Sequence, residues 1–527
     1  MNVQTEAKTI PERKINSWLV YTVCVVVTLV SLFCFAPNSP IYTFNSHCDY
    51  NWYLTMGRGI VAGKVPYRDL FEHKGPITYF VFAFASLFPE PRFAVWVIEI
   101  ICVSLFLFLG YRIARKFLSP WLSLLFIPIM MMTLSTMCFS FGTRVEEFCL
   151  PIFAYGLLCF LDFIMDKRPA TWQRSLALGI CLGILFWVKF SMWEFFLFPM
   201  LIWLIMNLVR RDWKTVLRSG LIMLGGLLIV TLPIIIYFGV NSAVGDLFEV
   251  YFKVNFSYSG NIYGLTENQL RVQKFLSIFF PLFCLGAYAG IFLLLGIVSF
   301  AIQFWRQKSG WLLLIAVVPT WYMIGFFCGY AYYYLPLYAH EILGVVYVIK
   351  LVANILRAVD CKVQKQWIKS VVLILVAILS YLLSFPFVSA TVEINQPREN
   401  YAPLVVADII AEYNQTAEAP ATLFCYYMAD WGFYNACGIV PNVKYYAINN
   451  FTREEFPAMY ESFDEIISEQ KCDFVLATLE MYETNELLSS RYAPYFETKE
   501  DSKINFKYWV DTCYFEAPLI ILFRKTF

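Results

Sequence analysis

Long apolar runs alternate along this chain with short connections that carry most of its charge. Runs of membrane length occur at about 18–36, 92–117, 121–140, 148–165, 176–190, 195–209, 216–240, 275–304, 311–328, 334–351 and 368–388. Each approaches the ~20 residues a helix needs to cross a hydrocarbon core, so about eleven spanning helices are expected. The run 77–89 is different. Its helix would rise only about 20 Å against a core of roughly 30 Å, which predicts an interfacial helix instead of a span.

The charges fix the orientation. With 77–89 kept on the outer side, Arg112/Arg115/Lys116, Lys167/Arg168/Arg174, Arg210/Arg211/Lys214, Arg306/Lys308 and the basic residues from Lys350 to Lys369 all face the cytoplasm, as the positive-inside rule requires. If it crossed, all would lie outside. The first run follows Lys8, Arg13 and Lys14, is too long for a signal-peptide core and lacks a small-x-small cleavage site, so it reads as a retained span with the N-terminus inside. The loops 47–76, 139–147 and 241–274 and everything after about Ser389 then share the outer face.

Past residue 390 the pattern changes. Short β-like runs (422–427, 443–447, 473–479, 519–523) alternate with helical patterns (454–469, 483–491), predicting a small α/β domain. The expected fold is an all-α polytopic membrane region over 1–390 with an extracytoplasmic α/β domain over 391–527.

Composition narrows the function. The chain is 59% hydrophobic, and its 40 basic and 39 acidic residues leave a net charge of +1, which provides no polyelectrolyte surface for nucleic acid. The 15 cysteines include no C-x-x-C pair, so no zinc or thiol redox motif is indicated. Cys425, Cys437, Cys472 and Cys513 are available for disulfides if the tail is external. No P-loop, dinucleotide fingerprint or nucleophile elbow stands in a supporting context.

The loop 47–76, HCDYNWYLTMGRGIVAGKVPYRDLFEHKGP, is unusually polar and turn-rich for a connection between spans. Its order of acid, aromatic pair, Gly, Gly-x-x-Pro-Tyr-x-Asp and Lys-Gly-Pro before an apolar helix resembles the first external loop of GT-C glycosyltransferases. Within them it is most similar to the bacterial branch related to protein O-mannosyltransferases and lipid A aminoarabinose transferases. The resemblance implies an inverting transfer of sugar from a polyprenyl-phosphate donor to a protein, lipid or glycan acceptor outside a bacterial inner or plasma membrane. Such a transfer needs a carboxylate to take the acceptor proton and cations to hold the charge growing on the leaving phosphate.

Asp49 matches the acidic position of that loop and is the expected base; the competing reading is an N-cap for a helix starting at Tyr50. Glu146 and Glu147, in T-R-V-E-E-F, match an acidic motif of the second external loop, where one of them would face Asp49, and Arg144 resembles an arginine preceding that acid. Lys74 in K-G-P-I is the expected phosphate ligand, or else a lysine snorkelling at the interface. His73 reads as a surface histidine. Arg92 and Lys189, at the outer ends of spans, are further donor-phosphate candidates, as are Tyr333 and Tyr334 in G-Y-A-Y-Y-Y-L, where Tyr332 or Tyr333 replaces the histidine of relatives. An aromatic belt explains the same tyrosines without a site. The loop 241–274 is a candidate lid. Trp431–Tyr434 faces membrane or acceptor, or forms a core turn.

The oligosaccharyltransferase branch holds a divalent ion, which Asp49 with Glu146 would suit; the mannosyl and aminoarabinose branches need none, and no essential metal is expected. The alternative function is a transporter or flippase of lipid-linked sugars, against which stand the missing inverted repeat and the gathering of polar residues at one face.

Overall fold

The computed structural model describes residues 15–134, 144–167, 170–257, 308–327, 331–358, 397–449, 451–496, 501–510 and 513–525, with isolated positions at 268, 269, 271, 272 and 298. Eleven helices lead through the first half: α1 (Ser17–Phe35), α2 (Cys48–Val61), α3 (Pro76–Ala85), α4 (Pro91–Ala114), α5 (Pro120–Leu124), α6 (Phe126–Leu134), α7 (Val145–Phe148), α8 (Leu150–Ile164), α9 (Trp172–Lys189), α10 (Glu194–Val209) and α11 (Trp213–Val240). Among the described residues, five helical segments are long and apolar enough to cross a membrane: Ser17–Phe35, Pro91–Ala114, Trp172–Val209, Trp213–Val240 and Tyr332–Asn354. The chain is an integral membrane protein. The runs expected at 275–304 and 368–388, most of the lid candidate beyond residue 257 and the boundary near 390 lie outside the described residues.

The run 121–140 gives α5 and α6, parted at Leu125. The run 148–165 gives α8, preceded by the one-turn α7 and with a proline in its first turn. Proline has no N–H to continue the preceding helix and tolerates only the first turn of the next, so Pro151 marks the break. The helix α3 is ten residues long, about 15 Å, as its run predicts, and packs against α2, α4 and α9.

The helices α9 and α11 run side by side through small residues. A Cβ on Gly179 would lie 2.0 Å from the Met223 carbonyl oxygen, and one on Gly226 2.5 Å from that of Leu176. Only glycine allows this approach, the usual device where lipid supplies no hydrophobic drive between helices. Past Lys189 a 3₁₀ turn, Phe190–Trp193, reverses the chain, and the Trp193 indole donates to the Leu182 carbonyl at 2.8 Å. The end of α9 and the start of α8 thereby come to the same level.

The tail contains β1 (Leu423–Cys425), β2 (Phe474–Thr478), β3 (Tyr492–Pro494), β4 (Lys503–Val510) and β5 (Cys513–Arg524). The order is β1-β2-β5-β3 with β4 also on β5; β1 and β2 are parallel and the remaining pairs antiparallel. Helices Ala402–Asn414 and Pro457–Ser468 accompany the sheet. The run 443–447 is not a strand. It is a loop whose Tyr445 and Tyr446 pack on Phe71 and Trp52 of the membrane region. Cys425, Cys437 and Cys472 are free thiols, and Phe433 and Tyr434 are core residues behind a left-handed Gly432.

Candidate active site

Helix α2 starts at Cys48 with His47 as its N-cap and no side-chain cap bond, so the cap reading of Asp49 gives way to another arrangement. Asp49 sits in the first turn, where the helix dipole favours an acid, and its Oδ2 accepts from Arg144 Nη1 at 2.9 Å. Its Oδ1 makes no hydrogen bond among the described residues. Arg144, just before α7, also lies over the Tyr332 ring at 3.9 Å. Two residues further, Glu146 Oε1 accepts from Lys189 Nζ at 2.6 Å, and that ammonium stands 3.2 Å from the centre of the Tyr333 ring. Two ion pairs thus flank a pair of tyrosines, each cation resting on a ring face.

The segment Val65–Gly75 is tied to itself and to its neighbours. Tyr67 takes a positive φ of 70°, a conformation that costs a residue with a Cβ of order 1–3 kcal/mol and persists only where its surroundings hold it. Here the hold is visible: the ring stacks on Phe238 at 5.6 Å and the hydroxyl donates to the Lys74 carbonyl at 2.6 Å. The Lys74 N–H donates to Glu72 Oε2 at 2.9 Å, and the Tyr79 hydroxyl binds the same carboxylate. Gly75 donates to the Val188 carbonyl at 3.0 Å, which brings Lys74 close to the end of α9.

His73 is buried, correcting its reading as a surface residue. Burial pushes its pKa well below the usual histidine value, with Lys74 and Lys189 adding to the effect, so the imidazole is neutral. Its Nε2 lies 3.2 Å from Lys74 Nζ, and its Nδ1 lies 3.3 Å from Glu72 Oε1. Lys74 itself makes no salt bridge among the described residues. Burial opposes its charge, but Glu72, Tyr333 and Asp49 outweigh burial and hold its pKa above the usual lysine value.

These groups enclose a cavity of about 490 Å³, its opening included, lined by Asp49, Glu72, His73, Lys74, Tyr332 and Tyr333 and closed from the tail by Ala429, Ile448 and Asn449. Glu146 and Lys189 stand behind the tyrosines. Glu147 is fully buried away from the cavity, near Glu99, whose carboxylate oxygens have no hydrogen-bond partner among the described residues. Arg92 binds the Tyr42 carbonyl at 2.7 Å and stacks on Phe93, outside the cavity lining. Tyr334 is buried beside the lining without joining it. Of the lid candidate, Asn255 donates to the His73 carbonyl at 2.7 Å.

The tail's part was not foreseen. Asp430 accepts from Thr55 Oγ1 and from the Gly432 N–H, each at 2.8 Å; Asn435 Nδ2 donates to the Asn51 carbonyl at 3.0 Å; Arg58 donates to the Asn435 carbonyl at 3.1 Å. Helix α2 is therefore clamped by the tail through Asn51, Thr55 and Arg58, on the face opposite Asp49. Only the Asp-x-Gly spacing at 430–432 hinted at a side-chain-stabilised turn. Asp49 and Glu146 each already hold a cationic side chain, and no group of three or more potential metal ligands occurs among the described residues.

Residues 73–237 match the model of the dolichyl-phosphate-mannose-protein mannosyltransferase family. The fold is similar to that of ArnT from Cupriavidus metallidurans bound to undecaprenyl phosphate, at 13% identity and a TM-score of 0.55, covering 96% of this chain and 97% of that one. The apo form of the same ArnT gives 15% identity and a TM-score of 0.54 at the same coverage. No curated protein matches. The matched segment carries Lys74, Arg144, Glu146 and Lys189, and the fold shared with ArnT runs through nearly the whole chain.

Proposed function

We propose that this chain is an inverting glycosyltransferase that takes a sugar from a polyprenyl-phosphate donor and gives it to an acceptor on the extracytoplasmic side of a bacterial inner or plasma membrane. One observation carries the reading. Among the described residues, a lysine with no salt-bridged carboxylate and a carboxylate with one oxygen outside any hydrogen bond line the same cavity. A half-buried ammonium in such a cavity calls for an anion, and a lipid-borne phosphate is the anion such a membrane enzyme meets. The ArnT of similar fold was crystallised with undecaprenyl phosphate.

In this scheme Lys74 holds the donor phosphate, with the Tyr332 and Tyr333 hydroxyls as further donors. The bond between the anomeric carbon and the phosphate oxygen breaks, charge grows on the phosphate, and Lys74 stabilises it in an environment that strengthens such contacts. Asp49 Oδ1 accepts the proton of the acceptor group as its bond to the anomeric carbon forms. Arg144 positions Asp49 through Oδ2. Lys189, paired with Glu146 and seated on Tyr333, sets the tyrosines and adds positive potential. A single displacement inverts the anomeric centre, and no essential metal is required.

Incubation of the purified chain with a panel of radiolabelled polyprenyl-phosphate sugars tests this. Release of free polyprenyl phosphate with at least one donor, undiminished in EDTA, is expected; absence of release from every donor, or activity lost in EDTA and restored by manganese, contradicts it.

A further inference from the structure

At the other end of α9 from Lys189 lies a second cavity, of about 680 Å³ with its mouth included. Its wall is apolar and comes from four helices: Cys159 and Phe163 of α8, Leu178 of α9, Phe196 and Trp203 of α10 and Met223 of α11. From Ser175, which lines it, to Lys189 the helix rises roughly 20 Å, so this space is separate from the Asp49 cavity.

The mouth is cationic. Arg174 lines it, and Arg210 sits over the ring of Phe163 at 5.9 Å. Arg174 donates to Asp162 Oδ2 at 2.6 Å, and Asp162 also binds Lys116, so its acidic neighbour is already shared between two cations. Arg210 is exposed and makes no ion pair among the described residues. The two connections at this end and the helix starts that follow them carry Lys167, Arg174, Arg210, Arg211, Lys214 and Arg218 against Asp166 and Asp212.

We infer that this cavity seats one acyl chain of an anionic phospholipid from the leaflet opposite the candidate active site, with Arg210 and Arg174 engaging its headgroup phosphate. An apolar slot between spans takes a chain at the cost only of ordering it, and clustered arginines beside such a slot select anionic over zwitterionic headgroups. The inference is independent of the transfer chemistry.

Cys159, partly exposed in the cavity wall, serves as the reporter. The full chain is placed in nanodiscs of dioleoyl phosphatidylglycerol or dioleoyl phosphatidylcholine, and maleimide labelling of Cys159 is followed by peptide mass spectrometry, with native mass spectrometry counting retained lipid. Labelling several-fold slower in phosphatidylglycerol is expected, together with its selective retention, the loss of both differences in Arg210→Gln, and no protection by inorganic phosphate in phosphatidylcholine. Equal labelling in the two lipids, a preference that survives Arg210→Gln, or protection by free phosphate would overturn it.

Discussion

In the proposed transfer Asp49 and Lys74 divide the chemistry between them, and each makes a separate prediction. Asp49→Asn keeps an oxygen for Arg144 but loses the basic site, so transfer should fall by about 10²–10⁴ while donor binding persists. Lys74→Met removes the ammonium from the phosphate; one lost charge-stabilising donor of this kind typically costs about 10²–10³ in rate, and a weaker donor Kd should accompany it. His73 makes a prediction about pH. Its folded pKa lies below that of the free side chain, so the unfolded chain binds the extra proton as pH falls through about 6.5, and stability drops in that direction. Melting curves from pH 7.5 to 5 should show the loss, and His73→Asn, which cannot take up that proton, should flatten it.

Two contacts of α2 matter at the scale of elements. On its inner side Gly57 touches α3 so closely that a Cβ would lie 2.5 Å from the Phe82 carbonyl carbon. Gly57→Ala must push the helices apart, at a cost of about 1–3 kcal/mol, and should lower both melting temperature and rate because Asp49 moves with α2. On its outer side the tail clamps it through Asp430. Burial raises the Asp430 pKa to about 6, but Thr55 and the Gly432 N–H hold the carboxylate in place. Asp430→Ala leaves those donors unpaired, about 1–3 kcal/mol, and should loosen the tail, seen as faster amide exchange in α2.

For the whole molecule, hydropathy made most of the described membrane helices legible, since run length and charge asymmetry are dictated by the bilayer itself. The break at Leu125 was not legible from hydropathy, because an interrupted apolar run reads like a continuous one. In the site, Asp49 and Lys74 stood out as charges in an unusually polar loop, and they share one cavity. That Arg144 answers Asp49, that Lys189 answers Glu146 and that Glu147 turns away are outcomes of packing between distant elements, which spacing does not encode. The same holds for Ala429, Ile448 and Asn449, which reach the cavity across more than half the chain. Deleting the tail from residue 391 onward should therefore abolish transfer even where the membrane region still inserts.

The most direct measurement compares wild type and Asp49→Asn in a single-turnover reaction, with donor binding followed in the same preparation. The account predicts an unchanged donor Kd and a loss of polyprenyl-phosphate release of at least a hundredfold in the variant. Release at the wild-type rate by Asp49→Asn would contradict it.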